Sequence, residues 1–435
     1  MTAIDGFIVN VSLPSIVRDL GGGLGLEQWT VDAYLLTLGA LILVAGSLSD
    51  LFGRRRILTV GLIWFGLSSL LCAVAPDSAT LVIARGLQGV GGALITPSSL
   101  ALIISVFSGK AQSKAIGAWT AWLSVATVSG PIVGGLILSV ASWRWIFVVS
   151  AAPIVITLWL LMRLDMHEST KTGARVDIPG AVLCVLGLGL PVYALIEQPT
   201  YGWGSTFVWL PLTFGILFVL VFLLQEKRTA QPMLPLSLFE IRNFSVGNMA
   251  TLVIYAGLTV STFLLTITLQ QVGGYSPLDA SLATVPVSVV MFLLSGRFGK
   301  LAGRYGPRLF MTLGPLTAGL GFLSMIRLQP HVNYLSELLP SLLLFALGLS
   351  ATVAPLTSAV LGDIDPKRAG IASAVNNAIA RIAGLVAVAA VGVITGPHLD
   401  IDGFRRVLLW VVSLMMIGAI ASYAGIRNRV TSDRA

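Results

Sequence analysis

Charge is what this sequence has least of. Only 11% of its 435 residues are charged, whereas 56% are hydrophobic. A soluble domain carries roughly 25% charged residues, and a deficit of that size cannot be hidden in one core. Most of the surface is expected to face lipid, which excludes an ordinary soluble globule. Cysteine is scarce too: Cys72 and Cys184 lie in apolar runs and read as small hydrophobes, so no disulfide framework is expected. His167, His331 and His398 are scattered through loops without ligand spacing, which argues against a metal site. No G-x-x-x-x-G-K-[ST] stretch occurs, which argues against an ATP-powered pump within the chain. No cleavable signal peptide precedes the first apolar run. The net charge of +8 would suggest nucleic acid in a soluble protein. In a membrane protein the placement of the basic residues matters more than their sum, and no nucleic-acid partner is expected.

What the sequence has in abundance is long apolar runs. A helix needs about 20 apolar residues to cross a hydrocarbon core of about 30 Å. Fourteen runs are read as spans. Six lie in the first part, at 1–17, 29–48, 57–75, 81–107, 115–140 and 145–162. Two follow at 178–196 and 207–224, and six close the chain at 244–269, 280–298, 310–326, 338–361, 370–394 and 407–426. Loop charge alternates sharply between the two sides. One side gathers Arg54, Arg55, Arg56, Lys110, Lys114, Arg163, Lys171, Arg175, Lys227, Arg228, Arg242, Arg297, Lys300, Arg304, Arg308, Lys367, Arg368, Arg427, Arg429 and Arg434. The other holds only Arg18, Arg144, Arg327, Arg405 and Arg406. Short cytoplasmic loops carry the Lys/Arg excess, so both termini are expected in the cytoplasm. Trp29, Trp143, Trp145 and Trp203 fall at the expected outer interface.

The chain also repeats itself. "GSLSDLFGRR" (46–55) follows the second span and "GKLAGRYGPR" (299–308) the tenth, with matching glycines and basic residues. "SKAIG" (113–117) and "KRAGI" (367–371) match at nearly the same offset. Two matches at one offset argue for a duplicated six-helix unit, as in the parallel halves of secondary transporters. The offset covers eight spans rather than six, so the seventh and eighth are inserted helices. The expected organisation is a six-helix bundle at 1–163, two linker helices with cytoplasmic loops at 164–243, and a second bundle with a short tail at 244–435.

Charged residues inside spans are rare enough to name. Asp5 lies twelve residues from Val17 at the outer end of the first span, about 18 Å at 1.5 Å per residue. That depth is near mid-membrane. The rest of the bilayer needs roughly 8 more helical residues, whereas only four precede Asp5. Either the start lies upstream of Met1 or the first helix is cut short. A carboxylate at the bilayer centre costs about 2.5–3.5 kcal/mol on insertion scales, and desolvation favours its neutral acid. A group that is protonated facing one side and deprotonated facing the other carries protons; the bland alternative is an Asp that only bonds a neighbouring helix. Arg85, in "LVIARGLQGVGGALITP" (81–97), cannot lose its proton and is a fixed positive charge. It could tune a nearby acid, hold an anion or simply neutralise a buried carboxylate, and Asp5 or Asp32 could be that carboxylate. Asp32 is read about one turn into the second span, near water, as a lesser candidate for substrate or proton contact. In "SGPIVGGLI" (129–137), Gly130 and Gly134 make a small-xxx-small face, Pro131 bends the helix and Gly135 adds a further gap. Asn376, Asn377 and Arg381 form a polar face on the thirteenth span, suited equally to lining a cavity and to bonding another helix.

These stretches resemble the major facilitator superfamily, and within it the fourteen-span drug:proton antiporters. "GSLSDLFGRRR" is similar to the superfamily's loop signature between spans two and three. "ARGLQGVGGALITP" resembles its fourth-span signature, "GPIVGG" the antiporter signature of span five and "IDGFIVNVSLP" the first-span signature of the branch. "WRWIF" (143–147), "DIPGAVL" (177–183) and "LFEIRNFSVGN" (238–248) fit it as well, so the likeness runs over essentially the whole chain. It implies an all-α fold of two six-helix bundles plus two inserted helices, working by alternating access around a central cavity. It also implies a cytoplasmic gate built from Gly46, Asp50, Gly53, Arg54 and Arg55, although the second repeat has Gly303 in place of Asp50.

The resulting expectation is a carrier, not an enzyme. It would export amphiphilic, in part cationic, small molecules across the cytoplasmic membrane of a bacterium in exchange for protons. Asp5 would exchange the proton and Arg85 would tune it. No cofactor is expected, and a single chain is the expected unit. Two other classes remain open at this point. One is a proton-coupled or facilitative uptake carrier for a sugar or organic anion; the other is a non-transporting membrane protein of the same fold.

Overall fold

The computed structural model describes residues 2–163, 176–229, 232–327, 333–365, 368–396 and 399–428. His167, His331 and His398, and the loop residues Lys171, Arg175, Lys367, Arg429 and Arg434, lie outside them. The described residues are helical nearly throughout, as a chain in lipid must be, because every backbone N–H and C=O needs a partner within its own segment.

The helices are α1 (Thr2–Leu20), α2 (Gly23–Phe52), α3 (Arg54–Ala73), α4 (Ser78–Val106), α5 (Gly109–Val140), the short α6 (Trp145–Val148), α7 (Ala151–Met162), α8 (Ile178–Tyr201) and α9 (Thr206–Arg228). They continue with α10 (Arg242–Gln271), α11 (Pro277–Tyr305), α12 (Pro307–Ser324), α13 (Leu339–Gly362), α14 (Ala369–Ala389), the short α15 (Val391–Thr395) and α16 (Ile401–Gly425). Among the described residues, twelve helical segments are long and apolar enough to cross a membrane, two fewer than the fourteen expected. The two outside that set are α1 and α5. In α1 the charges Asp5, Arg18 and Asp19 crowd 19 residues, and in α5 the continuous stretch of described residues that is apolar is Ser129–Val140.

Several helices begin earlier than their apolar runs. α2 starts at Gly23 rather than near Trp29, because Gly21 and Gly22, at φ +75° and +87°, turn the chain at once out of α1. The extension brings Glu27 and Gln28 into the helix, where both are buried. α4 starts at Ser78 with Asp77 as its N-cap, whose Oδ1 accepts from Thr80 N at 2.8 Å. Hydrogen bonds from Thr80 hold the Asp77 carboxyl below its usual range. The repeat has a backbone counterpart. Gly53, which caps the start of α3, takes φ +95°, and Gly306, its match before α12, takes φ +85°.

The chain divides into two compact units. One comprises Met1–Pro235 with Leu265–Leu282 and Val388–Leu399; the other comprises Leu236–Leu264, Ala283–Ala387 and Asp400–Ala435. In the first, α4 packs against both α2 and α3, α1 lies on α5, and α8 and α9 pair with each other while α8 also touches α2. In the second, α12 packs between α13 and α16. Large apolar side chains face outward, with Phe292 75% and Trp122 72% exposed, whereas Asp5, Asp32, Arg85 and Gln88 are buried. That inversion of the soluble pattern is what a lipid solvent selects.

Candidate functional site

The charged residues inside the first unit meet at one place. Arg85 Nη1 donates to Asp5 Oδ2 at 2.8 Å, and the two side chains are 1% and 2% exposed. Gln88, one turn along α4, donates from Nε2 to Asp5 Oδ1 at 2.9 Å and to Ser69 Oγ at 2.8 Å. Arg85 Nη1 also donates to Gln88 Oε1. Arg85 Nε donates to the carbonyl of Thr30 at 2.9 Å, and its Cζ lies 4.5 Å from the Tyr34 ring centroid and 5.8 Å from that of Phe147. Both oxygens of Asp5 are thus held, one by a cation and one by a neutral amide. The guanidinium is itself seated on α2 through a carbonyl and an aromatic face.

Asp5, not Asp32, is therefore the carboxylate that Arg85 neutralises. Asp32 is 0% exposed, not near water as its position in the sequence implied, because the longer α2 carries it inward. Neither of its carboxylate oxygens has a hydrogen-bond partner among the described residues. A buried carboxylate that stays charged without a partner costs several kcal/mol. Gln88 escaped the sequence reading. The available signal was its place three residues after Arg85, on the same face of the helix.

The glycine motif of α5 positions this site. A Cβ at Gly130 would stand 2.9 Å from Phe7 Cβ, and one at Gly134 3.4 Å from both Cα and O of Ile8. Gly130 lets α1 lie directly on α5, whereas at Gly134 a Cβ would stand in ordinary contact with the same helix. Gly135 faces another way: a Cβ there would be 2.8 Å from Leu278 Cα and 3.1 Å from the carbonyl of Pro277. Pro131 lies inside α5 between these contacts.

At the start of α3, Asp50 and Arg54 form an ion pair at 3.6 Å, both about one-third exposed, and Arg54 Nη1 also donates to the Ala101 carbonyl at 3.0 Å. A Cβ at Gly46 would meet nothing within 4 Å. Arg55 is half-buried beside this pair in sequence. In the second unit, Asn376 Nδ2 donates to Asn248 Oδ1 and Thr251 Oγ1, both at 2.9 Å, which bonds α14 to α10. Asn377 donates to its own helix at Ser373 O. Arg381 is exposed, and it makes no hydrogen bond or ion pair among the described residues.

Comparison with known proteins gives this geometry its context. The family model described as Major Facilitator Superfamily matches residues 1–388. The puromycin resistance protein pur8 of Streptomyces alboniger is 32% identical, over 99% of this chain and 89% of its own length. The methylenomycin A resistance protein of Bacillus subtilis (strain 168) is 31% identical, covering 98% and 90% respectively. The cephamycin export protein CmcT of Amycolatopsis lactamdurans is 32% identical, covering 91% and 82%. Among solved structures, a bacterial homolog of the human lysosomal transporter Spinster superposes with a TM-score of 0.71 at 15% identity, over 97% of this chain and 93% of the other. A D-xylose–proton symporter superposes with a TM-score of 0.68 at 14% identity, over 98% and 95%. At such identities the structures speak for the fold alone. Fold, matched family model and relatives of nearly equal length agree, and the chain belongs to the Major Facilitator Superfamily.

Proposed function

We propose that this protein exports amphiphilic small molecules across the cytoplasmic membrane of a bacterium in exchange for protons. The observation that carries the reading is the buried Asp5 carboxylate on α1, bound by Arg85 and Gln88 of α4. Protonating Asp5 removes the charge that Arg85 balances. Arg85 keeps the Thr30 carbonyl and Gln88 keeps Ser69, so α4 stays ordered while its grip on α1 weakens. A proton thereby becomes a change in helix packing, which is what alternating access requires. One charge moved across 100 mV is worth about 2.3 kcal/mol, so a single proton drives useful export. No cofactor enters this cycle.

The remaining parts follow from that assignment. Asp32, buried and unpaired, is a contact for a cationic group of the substrate or for a second proton. Asp50, Arg54 and Arg55, with Gly46 and Gly53, form the cytoplasmic gate, and the Asp50–Arg54 pair breaks and reforms between states. The Gly130, Pro131, Gly134 and Gly135 motif keeps α1 and the 277–281 segment against α5. Asn376 braces α14, while Asn377 and Arg381 line the path of the substrate. α1 and α5 cross the membrane with the other twelve helices, giving fourteen spans with both termini in the cytoplasm. The bundles are 1–163 and 244–435, the helices of 164–243 are the insertion, and one chain is the transporting unit. Export rather than uptake is supported by the resistance and export proteins among the relatives.

Dye uptake into inverted membrane vesicles under an imposed pH gradient tests the proposal. The parent is expected to accumulate ethidium or a similar cation, and Asp5→Asn, expressed at the same level, to accumulate none. Equal accumulation by both would remove Asp5 from the coupling step. Counterflow of a labelled sugar by the parent would overturn export in favour of uptake.

A further inference from the structure

Within the first compact unit, the 265–282 and 388–399 stretches are tied to α1 and α2 by three glutamines. Gln28 Nε2 donates to the carbonyls of Val388 at 2.6 Å and Ala389 at 3.0 Å. Gln270 Nε2 donates to the carbonyl of Val11 at 2.9 Å. Gln271 Nε2 donates to Glu27 Oε1 at 2.8 Å. Glu27 is the one ionisable group in these bonds. It is 1% exposed, yet Gln271 above it is exposed, so one side chain separates a buried carboxylate from the surface.

Glu27 has no cation among the described residues. On the neighbouring helices that contact α2, the ionisable groups away from the cytoplasmic ends include Asp5, Arg18 and Asp19 on α1, Cys72 on α3 and Asp77 and Arg85 at or on α4. Beyond these stand Arg144 before α6, Tyr193, Glu197 and Tyr201 on α8, Tyr275 and Asp279 after α10, and Asp32 and Tyr34 on α2 itself. Every basic member is engaged elsewhere. Arg85 holds Asp5, Arg144 holds Asp19, and Arg18 bonds the Pro14 carbonyl and Ser15. Glu197 accepts from Trp29. A carboxylate removed from water and offered only a neutral amide is a poor fit. The protonated acid fits, since it accepts the amide N–H through one oxygen and has an O–H to give to an amide oxygen.

We propose that Glu27 is a second proton-binding site, a latch at the outer end of α2. Its protonation holds the 265–282 segment against α2, and its deprotonation releases that segment. The inference rests on the antiport reading and on the orientation given with it. A proton arriving from outside binds Glu27 after the substrate has left and closes the outer end. The proton that closes the latch is therefore distinct from the one exchanged at Asp5.

Spin labels at Ala79→Cys and Ser276→Cys, both exposed and both in the first unit, would report the latch by electron–electron distance measurement. Cys184→Ser removes the half-buried native thiol, and the buried Cys72 stays. The labelled protein is reconstituted in liposomes, and the pH is taken from mildly acidic to mildly alkaline on one side at a time, external first, with the other side clamped. The parent is expected to about double its long-distance population as external pH rises. Glu27→Gln, which keeps an amide partner but does not titrate, is expected to stay short throughout, and Glu27→Ala to stay long. A pH response in Glu27→Gln equal to that of the parent overturns the proposal, as does a parent that does not respond to pH on either side. A response to internal pH alone keeps the latch and overturns the orientation. An intact response in a protein that moves no dye keeps the latch and overturns the antiport reading.

Discussion

Arg85 Nη1 and Asp5 Oδ2 lie 2.8 Å apart across 80 residues of sequence, both side chains buried. Breaking a buried pair from one side leaves an uncompensated charge, which costs about 3–5 kcal/mol. Arg85→Ala is accordingly expected to lower the melting temperature in detergent sharply. The double variant Asp5→Asn with Arg85→Gln removes both charges and is expected to recover most of that stability while transporting nothing. Thermal denaturation followed by size-exclusion fluorescence, paired with dye uptake, checks both halves. Recovery of transport in the double variant would show that the pair is only structural.

Asp32 gives the opposite sign for stability. Its two oxygens are buried without a partner among the described residues, so nothing balances Asp32 in its charged form, and Asp32→Asn removes that form. The variant is expected to melt higher than the parent, by the equivalent of about 1–3 kcal/mol, and to transport cationic dyes more slowly. A lower melting temperature would mean that Asp32 has a cation near it in the folded protein.

Gly134 and Gly135 of α5 should rank by what stands opposite each of them. At Gly135 the opposing atoms are backbone, with Leu278 Cα at 2.8 Å, so Gly135→Ala must move a helix end and is expected to cost about 1–3 kcal/mol. At Gly134 the contact is an ordinary 3.4 Å, and the gain in helix propensity of about 1 kcal/mol offsets the crowding. Gly134→Ala is therefore expected to be neutral or slightly stabilising. Melting temperatures of the two single variants, measured side by side, decide it.

The Asp50–Arg54 pair is one-third exposed and spans 3.6 Å, so it is worth at most about 1 kcal/mol of stability. Asp50→Asn is expected to melt within a degree or two of the parent and to lose transport rate. A loss of folding without any loss of rate in the surviving protein would remove Asp50 from the gate.

Much of this was legible in the chain because lipid is a demanding solvent. The runs that became α3, α9 and α16 are apolar over most of their length, and no other structure satisfies their backbones in a bilayer. Asp5 and Arg85 could be singled out for the same reason: charges inside such runs are expensive enough to need an explanation. The span count was not legible in the same way. α1 carries three charged residues in 19, and apolarity is the only signal a sequence offers for a span. The apolar run of the second span begins at Trp29 and leaves Glu27 and Gln28 outside it, because polar residues ahead of a span look like its approach. They are helical and buried because Gln271 and the carbonyls of Val388 and Ala389 meet them there.

The sequence by itself determined that the protein lives in a membrane, that it repeats, and that a carboxylate and an arginine are buried in its first half. Composition and periodicity are local, and the bilayer converts them directly into helices. Only the tertiary structure decided who holds whom. Asp5 rather than Asp32 meets Arg85, Gln88 completes the pair, Gly130 and Gly134 face α1 while Gly135 faces the start of α11, and Glu27 is left, among the described residues, with an amide and no cation. Those choices depend on how far each helix extends and on how it is rotated against its neighbours. One turn of helix shifts a side chain by about 5.4 Å, and no run of apolar residues records that shift.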